Sequence, residues 1–461
     1  MLTREIDGTT TLPTEAVPTP TADYSEHLAE QRVVSRGLPK PIPPIPPVLR
    51  SRGTRVLIWK QDPIVKEIGI RKAFLPKRVL AGPKDARIIV QGMPPVTPNV
   101  FGDLIVDPVS SPAEFDAVHT FAIVRMVLTL FERLDSPAQV PWQWNTGGNT
   151  DPLDVFPHAG VTQNAFYSRN LKALKFFFFD SGTPPETIFT CRSLDITAHE
   201  TGHAILDGLQ PGWIGSSNLP QTGGLHESFG DLTAIFLALS QLDQAEAIIA
   251  QTKANLHAKN FLADLAEQFG LALGQTNGLR NADNDLKLSQ VSNEVHELSK
   301  VFTGGIYDVL ADIFAFERKP AVEDEAFTLY RVGRYVHGLV VRAIADSPGT
   351  NASYADVVNQ MLALVTSDGK PVDYKQFIVN RFSIREVIAP IAPAKLKAND
   401  HVDMEAAVLD EEGVPQDRSG CCGTMQLEEY MEDELTLEKE LTELAKAFSN
   451  GRKKQTSGTR R

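Results

Sequence analysis

Two short stretches decide how this chain is interpreted: His199–His203, which reads HETGH, and Glu227–Asp231, which reads ESFGD. Apolar residues recur at helical spacing around both, so each is predicted to lie on a helix. Because four residues make about one turn, the imidazoles of His199 and His203 leave the same helix face. Two neutral imidazole nitrogens on one face are suited to bind one Zn²⁺ ion.

A catalytic zinc needs a third protein ligand and an open fourth position. A third histidine of the HExxHxxGxxH pattern would fall at position 209, but Leu209 stands there and Leu206 occupies the glycine position. The three-histidine class is therefore excluded. Glu227, on the following helix, supplies a carboxylate. His226 is the remaining option, and it points elsewhere if its neighbour Glu227 faces the metal.

The other acidic residues of the two motifs have different predicted roles. Glu200 follows His199 and lies beside the metal, within reach of a water molecule bound there, as a general base must. Asp231 is one turn beyond Glu227 and can accept the outer N–H of a zinc-bound histidine, which fixes its tautomer. The plainer alternative is a helix with two buried structural histidines and a surface glutamate.

This motif pair resembles that of the thermolysin-like zinc metallopeptidases and the related fungalysin-like group, which are gluzincins with HExxH followed by ExxxD. Asp195 also matches, since the family often has an acid four residues before the first zinc histidine. The resemblance covers about residues 100 to 390. It implies a two-lobed α+β zincin fold, in which a mixed sheet and helix lobe precedes an all-helical lobe and the active-site cleft lies between them.

The resemblance also implies roles for three further residues. Asn164 and Ala165 match the family's edge strand and would hold the backbone of a peptide substrate by β-augmentation. An ordinary strand end is the alternative. His296 matches the family's histidine that stabilises the oxyanion of the tetrahedral intermediate. Without the resemblance, His296 would be interpreted as a surface or capping residue at a helix start.

The chain departs from the family pattern in three respects. No tyrosine follows His203 at the family's oxyanion position, where Trp213 and Ile214 stand nearby. The carboxylate clusters that bind calcium in thermolysin are not evident after Asp231. One catalytic Zn²⁺ is therefore expected and calcium is not predicted. About 50 Pro-rich residues also stand in place of the family's large pro-segment.

Composition narrows the class of protein. The 461 residues carry a net charge of −13, which argues against nucleic-acid binding because phosphates require a basic face. The three cysteines, two of them adjacent, cannot build a disulfide framework. No apolar signal region begins the chain and no apolar run is long enough to span a membrane. A cytoplasmic protein without a membrane partner is expected, and export by a non-standard route stays open.

Composition shifts and periodicity suggest the layout of the chain. The predicted segments are a Pro-rich N-terminal linker (1–52), an α+β lobe with the HExxH helix (53–210), a helical lobe with the third ligand (211–395), and an acidic-helical tail with a basic C-terminus (396–461). Strands are expected at 56–59, 86–90 and 174–179, and a loop at 220–224. Helices are expected at 112–134, 193–209, 225–239, 245–270, 297–316, 325–345 and 353–366.

The tail has several interpretations. An acidic amphipathic helix over 427–448 can dock a partner, cap the active site, or remain a solvated appendage. Cys421 and Cys422 are candidates for an inhibitory zinc ligand, because a thiolate binds zinc well.

The sequence therefore predicts a zinc-dependent metalloendopeptidase acting on peptide or protein substrates. An aminopeptidase is a close alternative, but it needs an acidic cluster that grips a free α-amine, and no matching motif is present. A non-catalytic binding or scaffold protein that keeps a zincin fold is the alternative from another class. The presence of Glu200 argues against it, since a structural zinc site has no use for a general base.

Overall fold

The computed structural model describes residues 53–134, 140–182, 186–215, 218–276 and 278–389. The Pro-rich segment 1–52, the tail 396–461, its predicted helix 427–448 and the pair Cys421-Cys422 lie outside the described residues. What the sequence predicts for them stays a prediction.

The strands are short and most of them precede residue 190. They are β1 (Thr54–Trp59), β2 (Ile70–Leu75), β3 (Ile88–Val90), β4 (Leu153–Phe156), β5 (Ala165–Ser168), β6 (Ala173–Phe176), β7 (Phe178–Ser181), β8 (Glu186–Phe189), β9 (Asp264–Leu265) and β10 (Arg280–Asn281). One four-stranded sheet has the order β3-β4-β6-β5, with β3, β4 and β6 parallel and β5 antiparallel at its edge. Antiparallel pairs β1-β2, β7-β8 and β9-β10 complete the strand pairing of the described chain.

Helices dominate after residue 190. They are α1 (Pro112–Glu132), α2 (Leu194–Leu209), α3 (Pro220–Leu239), α4 (Leu242–Thr252), α5 (Glu267–Ala272), α6 (Val295–Glu317), α7 (Glu325–Ala345), α8 (Tyr354–Ser367) and α9 (Val372–Ile384). Short 3₁₀ turns occupy Thr190–Arg192 and Leu288–Gln290. The strands come mostly before residue 190 and the helices mostly after it. This order is the α+β layout that the sequence predicts. The two-lobed arrangement and the division at residue 210 stay predictions.

Helices α2 and α3 form the centre of the fold. α2 packs against α3, and α3 packs against α6. Nearly every residue of α3 is buried, including the polar and charged residues of its first half. Among the described helices none is by itself both long and apolar enough to cross a membrane; α3 and α4 meet these conditions only when taken together, as a pair bent by 94°.

Three details of the sequence prediction are wrong. Residues 220–224 form the first turns of α3 and not a loop, because Pro220 at the first helical position needs no N–H partner. The helix expected over 245–270 ends at Thr252, since Lys253 and Ala254 adopt left-handed backbone angles (φ 52° and 61°). The strand expected over 174–179 is divided at Phe177 into β6 and β7.

Candidate metal centre

Helix α2 carries the two motif histidines. It begins after Ser193, whose side chain accepts the N–H of Ile196 (3.4 Å) and so caps the first turn. One turn apart, His199 and His203 are buried with their Nε2 atoms 2.9 Å from each other. The spacing in the sequence thus brings two imidazole nitrogens that could bind a metal to one point.

Helix α3 adds the carboxylate of Glu227 at the same point. Its Oε2 lies 3.4 Å from Nε2 of His199, and its Oε1 lies 3.6 Å from Nε2 of His203. Neither oxygen has a hydrogen-bond partner among the described residues, although Glu227 is fully buried. A buried carboxylate without a donor is costly, and a cation held by these three groups removes that cost. The residues therefore fit a metal ion.

Two other groups of potential ligands occur in the described part of the chain, but their carboxylates are already paired. The groups are Asp116, His158 and Cys191, and His257, Asp283 and Asp308. Arg192 binds Asp116 through Nε and Nη2 (2.7 and 2.9 Å), and Nη2 of Arg385 donates to Asp308 (2.8 Å). Guanidinium groups thus occupy the place of a cation there. Among the described residues, no guanidinium group donates a hydrogen bond to Glu227 in the group on α2 and α3.

Asp231 lies behind His199, as the one-turn spacing after Glu227 predicts. Its Oδ1 is 3.0 Å from Nδ1 of His199. Arg280 on β10 donates to the same oxygen through Nη2 and Nε (2.7 and 3.0 Å). Burial would raise the pKa of Asp231, but Arg280 and His199 outweigh it and hold that pKa below its ordinary value. Asp231 therefore stays ionised and orients His199. No sequence pattern singled out Arg280, which lies 49 positions beyond Asp231.

Glu200 is buried beside the candidate ligands His199 and Glu227. Neither carboxylate oxygen makes a hydrogen bond of normal geometry within the described chain, although the backbone of Tyr167 lies close enough to lower the pKa of Glu200. Burial raises the pKa of Glu200 to about 7, with His199 opposing and Glu227 adding to that rise. A carboxylate with this proton affinity and no internal partner is suited to exchange a proton with a molecule bound at the site.

His296 lies at the first turn of α6, close to the same centre. Its Nε2 is 3.3 Å from Oε2 of Glu227, and its Nδ1 is 2.6 Å from Oε1 of Glu294. Burial would lower the pKa of His296, but Glu227 and Glu294 outweigh it and raise that pKa. Glu294 also caps α6 by accepting the N–H of Glu297 (2.9 Å). The sequence suggested His296 only through the family resemblance and did not suggest Glu294.

Asn164 and Ala165 lie where β5 begins, at the edge of the four-stranded sheet. The Oδ1 of Asn164 accepts the N–H of Ala165 (2.8 Å), and its main-chain oxygen accepts the N–H of Phe177 (3.3 Å). Both residues are buried. The structure thus places them on the edge strand that also carries Tyr167, while both oxygens of Asn164 bond within the chain.

A buried ionic network fastens this edge strand to α2. The hydroxyl of Tyr167 donates to Oδ2 of Asp207 (2.6 Å), and Arg169 forms an ion pair with the same carboxylate. Since Asp207 is on α2, one turn beyond His203, the strand is fixed beside the motif helix. Sequence reasoning did not identify Asp207.

A small recess adjoins His199 and Glu200. Its volume is about 20 Å³. Leu265 and Leu279 form part of its apolar wall, and Arg280 lies at its polar side. The recess is therefore suited to a small group of a bound molecule.

His226 does not join the metal ligands. Its Nδ1 lies 2.6 Å from Nδ1 of His203, on the side of that ring opposite to Nε2. The structure therefore places Glu227, and not its neighbour His226, beside Nε2 of both histidines, and the helix turns His226 away.

No family model matches the chain, and neither does any curated protein. Among solved structures, the precursor of protealysin, a metalloproteinase from Serratia proteamaculans, is similar with a TM-score of 0.40 and 11% sequence identity. The similarity covers 77% of this chain and 96% of that chain. The chemistry proposed below depends on the geometry of this chain.

Proposed function

We propose that this protein is a zinc-dependent metalloendopeptidase. The observation that carries the proposal is the buried carboxylate of Glu200, unpaired among the described residues, beside a group of two imidazoles and one carboxylate. His199, His203 and Glu227 would hold the ion. When bound, zinc supplies Lewis-acid polarisation of a peptide carbonyl and acidifies water to a pKa of about 7.

Glu200 is proposed to move the proton during hydrolysis. Its carboxylate takes a proton from the attacking water at one of its two oxygens and then gives it to the nitrogen of the leaving amine. Burial favours the neutral form of Glu200, and the nearby positive groups favour the charged form. The carboxylate is therefore suited to accept the proton in one step and to release it in the next.

His296 is proposed to bind the developing negative charge on the carbonyl oxygen of the substrate. Its Nε2 faces the centre, and Glu294 holds the opposite ring nitrogen at 2.6 Å. An imidazole fixed in this way can donate a hydrogen bond without reorganising during the reaction, which is the basis of oxyanion stabilisation.

The substrate is proposed to be an extended peptide. β5 is at the edge of its sheet, and the backbone of Tyr167 in this strand lies next to Glu200. A peptide that adds to such an edge makes main-chain hydrogen bonds, with Asn164 and Ala165 at the start of the strand. Main-chain recognition does not require a free terminus, which favours endopeptidase over aminopeptidase action.

The test compares the parent with Glu200→Gln in zinc content and in cleavage of peptide libraries. We expect both proteins to bind one zinc ion per chain and the variant to hydrolyse roughly 10²–10⁴-fold more slowly. Glu246→Gln is the matched control, because Glu246 is exposed on α4. Equal cleavage by parent and Glu200→Gln would refute the mechanism.

Two further outcomes separate the alternatives. Cleavage restricted to peptides with a free N-terminus would indicate an aminopeptidase, so the library includes N-terminally blocked peptides. A parent protein that binds zinc and cleaves no peptide would indicate a binding or scaffold protein.

A further inference from the structure

The contact between His226 and His203 is the only hydrogen bond that the His226 ring makes in the described chain. The two Nδ1 atoms are 2.6 Å apart, and the rings lie nearly parallel, with centroids 4.7 Å apart and an angle of 20° between their planes. Nε2 of His226 is buried without a partner among the described residues. Both rings are fully buried, so water does not compete for this contact.

The position of the metal ligands fixes where the protons of these rings lie. Nε2 of His203 faces His199 and Glu227, so this nitrogen must carry a lone pair when it binds a metal. The proton of a neutral His203 is then on Nδ1. Two N–H groups cannot face each other at 2.6 Å, so Nδ1 of His226 must be the acceptor and its own proton is on Nε2.

We propose that His226 is a positioning residue that accepts the Nδ1–H of His203 and so directs Nε2 of His203 toward the metal. His226 accepts a hydrogen bond from Nδ1 of His203, as Asp231 does from Nδ1 of His199. The acceptor is a neutral ring at His203 and a carboxylate at His199. The inference rests on the proposed metal centre formed by His199, His203 and Glu227.

The neutral acceptor has a consequence for the charge of the centre. Asp231 brings a negative charge that Arg280 offsets at 2.7 Å, whereas His226 brings none. The Asp231–Arg280 pair and His226 therefore add little net charge to that of Glu227 in the buried site. This limits the free energy needed to desolvate the site. An Asp at position 226 would instead place a second carboxylate next to Glu227.

The experiment measures zinc affinity in four proteins by competition with a chromophoric chelator, at a temperature where circular dichroism shows each to be folded. His226→Ala removes the acceptor, and we expect its zinc dissociation constant to rise about 10–100-fold. His226→Asn is the conservative variant, because its Oδ1 takes the place of Nδ1, and it should recover most of the affinity.

His337→Ala is the matched control for losing a buried histidine. His337 is on α7, where its ring packs against Phe131 and Phe236, and both of its ring nitrogens are unpartnered in the described structure. Its removal should leave zinc affinity unchanged even if stability falls. A His226→Ala protein that binds zinc as tightly as the parent would overturn the proposal, as would equal losses in His226→Ala and His337→Ala.

A second measurement is specific to the tautomer. In the zinc-loaded parent, ¹⁵N NMR of the imidazoles should show the proton of His203 on Nδ1 and that of His226 on Nε2. A proton on Nδ1 of His226 would overturn the proposal. A parent protein that binds no zinc at all would overturn the metal centre itself, so the two failures are distinguishable.

Discussion

Gly230, one turn beyond His226 on α3, leaves the space in which the ring of His199 lies. A β-carbon at this position would be 2.6 Å from both Cε1 and Nδ1 of His199 and 2.8 Å from its Cγ. Non-bonded carbon atoms normally approach to about 3.5–4.0 Å, so Gly230→Ala creates an overlap of about 1 Å. The imidazole must move, and Asp231 holds it at Nδ1 on the same side.

Two opposing effects set the stability of Gly230→Ala. Overpacking a buried site costs about 1–3 kcal/mol. Alanine favours the helix interior over glycine by about 1 kcal/mol. The metal-free protein should therefore lose no more than about 2 kcal/mol of its free energy of unfolding. Zinc affinity should fall more clearly, by at least about tenfold, because a ligand is displaced from its position.

The assay pairs urea unfolding in the presence of a chelator with zinc competition titration. Gly338→Ala on α7 is the matched control, since a β-carbon there meets Leu134 at 3.7 Å, an ordinary contact. We expect Gly338→Ala to gain up to about 1 kcal/mol in stability and to keep its zinc affinity. If Gly230→Ala bound zinc within twofold of the parent, then His199 would not be a ligand in the position described.

Two further predictions concern the surroundings of the site. Burial, together with the nearby Asp62 and Asp231 carboxylates, raises the pKa of Asp195 to about 8 from an ordinary 3.8. The folded state therefore favours the protonated form, and the stability that this form contributes is complete below pH 3.8 and lost as pH rises through about 8. The free energy of unfolding of Asp195→Asn should therefore rise relative to that of the parent by roughly 2 kcal/mol or more between pH 4 and pH 8. Thermal unfolding of both proteins at each pH measures this difference, and a difference that did not change with pH would contradict the prediction. Because the recess of about 20 Å³ holds little more than one or two water-sized groups, we expect the parent to prefer a small residue next to the cleaved bond and Leu279→Ala to accept larger ones. Leu271→Ala, altering a side chain that is 60% exposed, should leave the preference unchanged, and identical cleavage profiles for the parent and Leu279→Ala would contradict the assignment.

The helical spacing of apolar residues was sufficient to predict the two motif helices, α2 and α3. The positions of His199 and His203, and those of Glu227 and Asp231, follow from one-turn spacing on α2 and α3. Spacing on a helix is a short-range property, so the sequence alone predicts which side chains share a face. The predicted α6 and α7 at 297–316 and 325–345 agree with the structure to within two residues for the same reason.

The loop expected at 220–224 shows where local rules fail. Glycine disfavours the interior of a helix, yet Gly224 lies within α3. A β-carbon at this position would come within 2.2 Å of the hydroxyl oxygen of Tyr354. Close packing between α3 and α8 requires a glycine at this point. Packing across more than a hundred residues of sequence is invisible to a local pattern.

The residue types of the candidate centre, their one-turn spacing and the α+β layout depend on composition and on contacts between near neighbours, so they can be predicted from the sequence. The groups that lie behind these side chains follow from the tertiary structure. It brings Arg280 from β10 to Asp231, Glu294 to His296, and the ring of His226 to His203. These partners are chosen by the packing of separate elements in space. A hydrogen bond depends on distance and direction within a few tenths of an ångström, and the order of residues along a chain does not encode that geometry between distant segments.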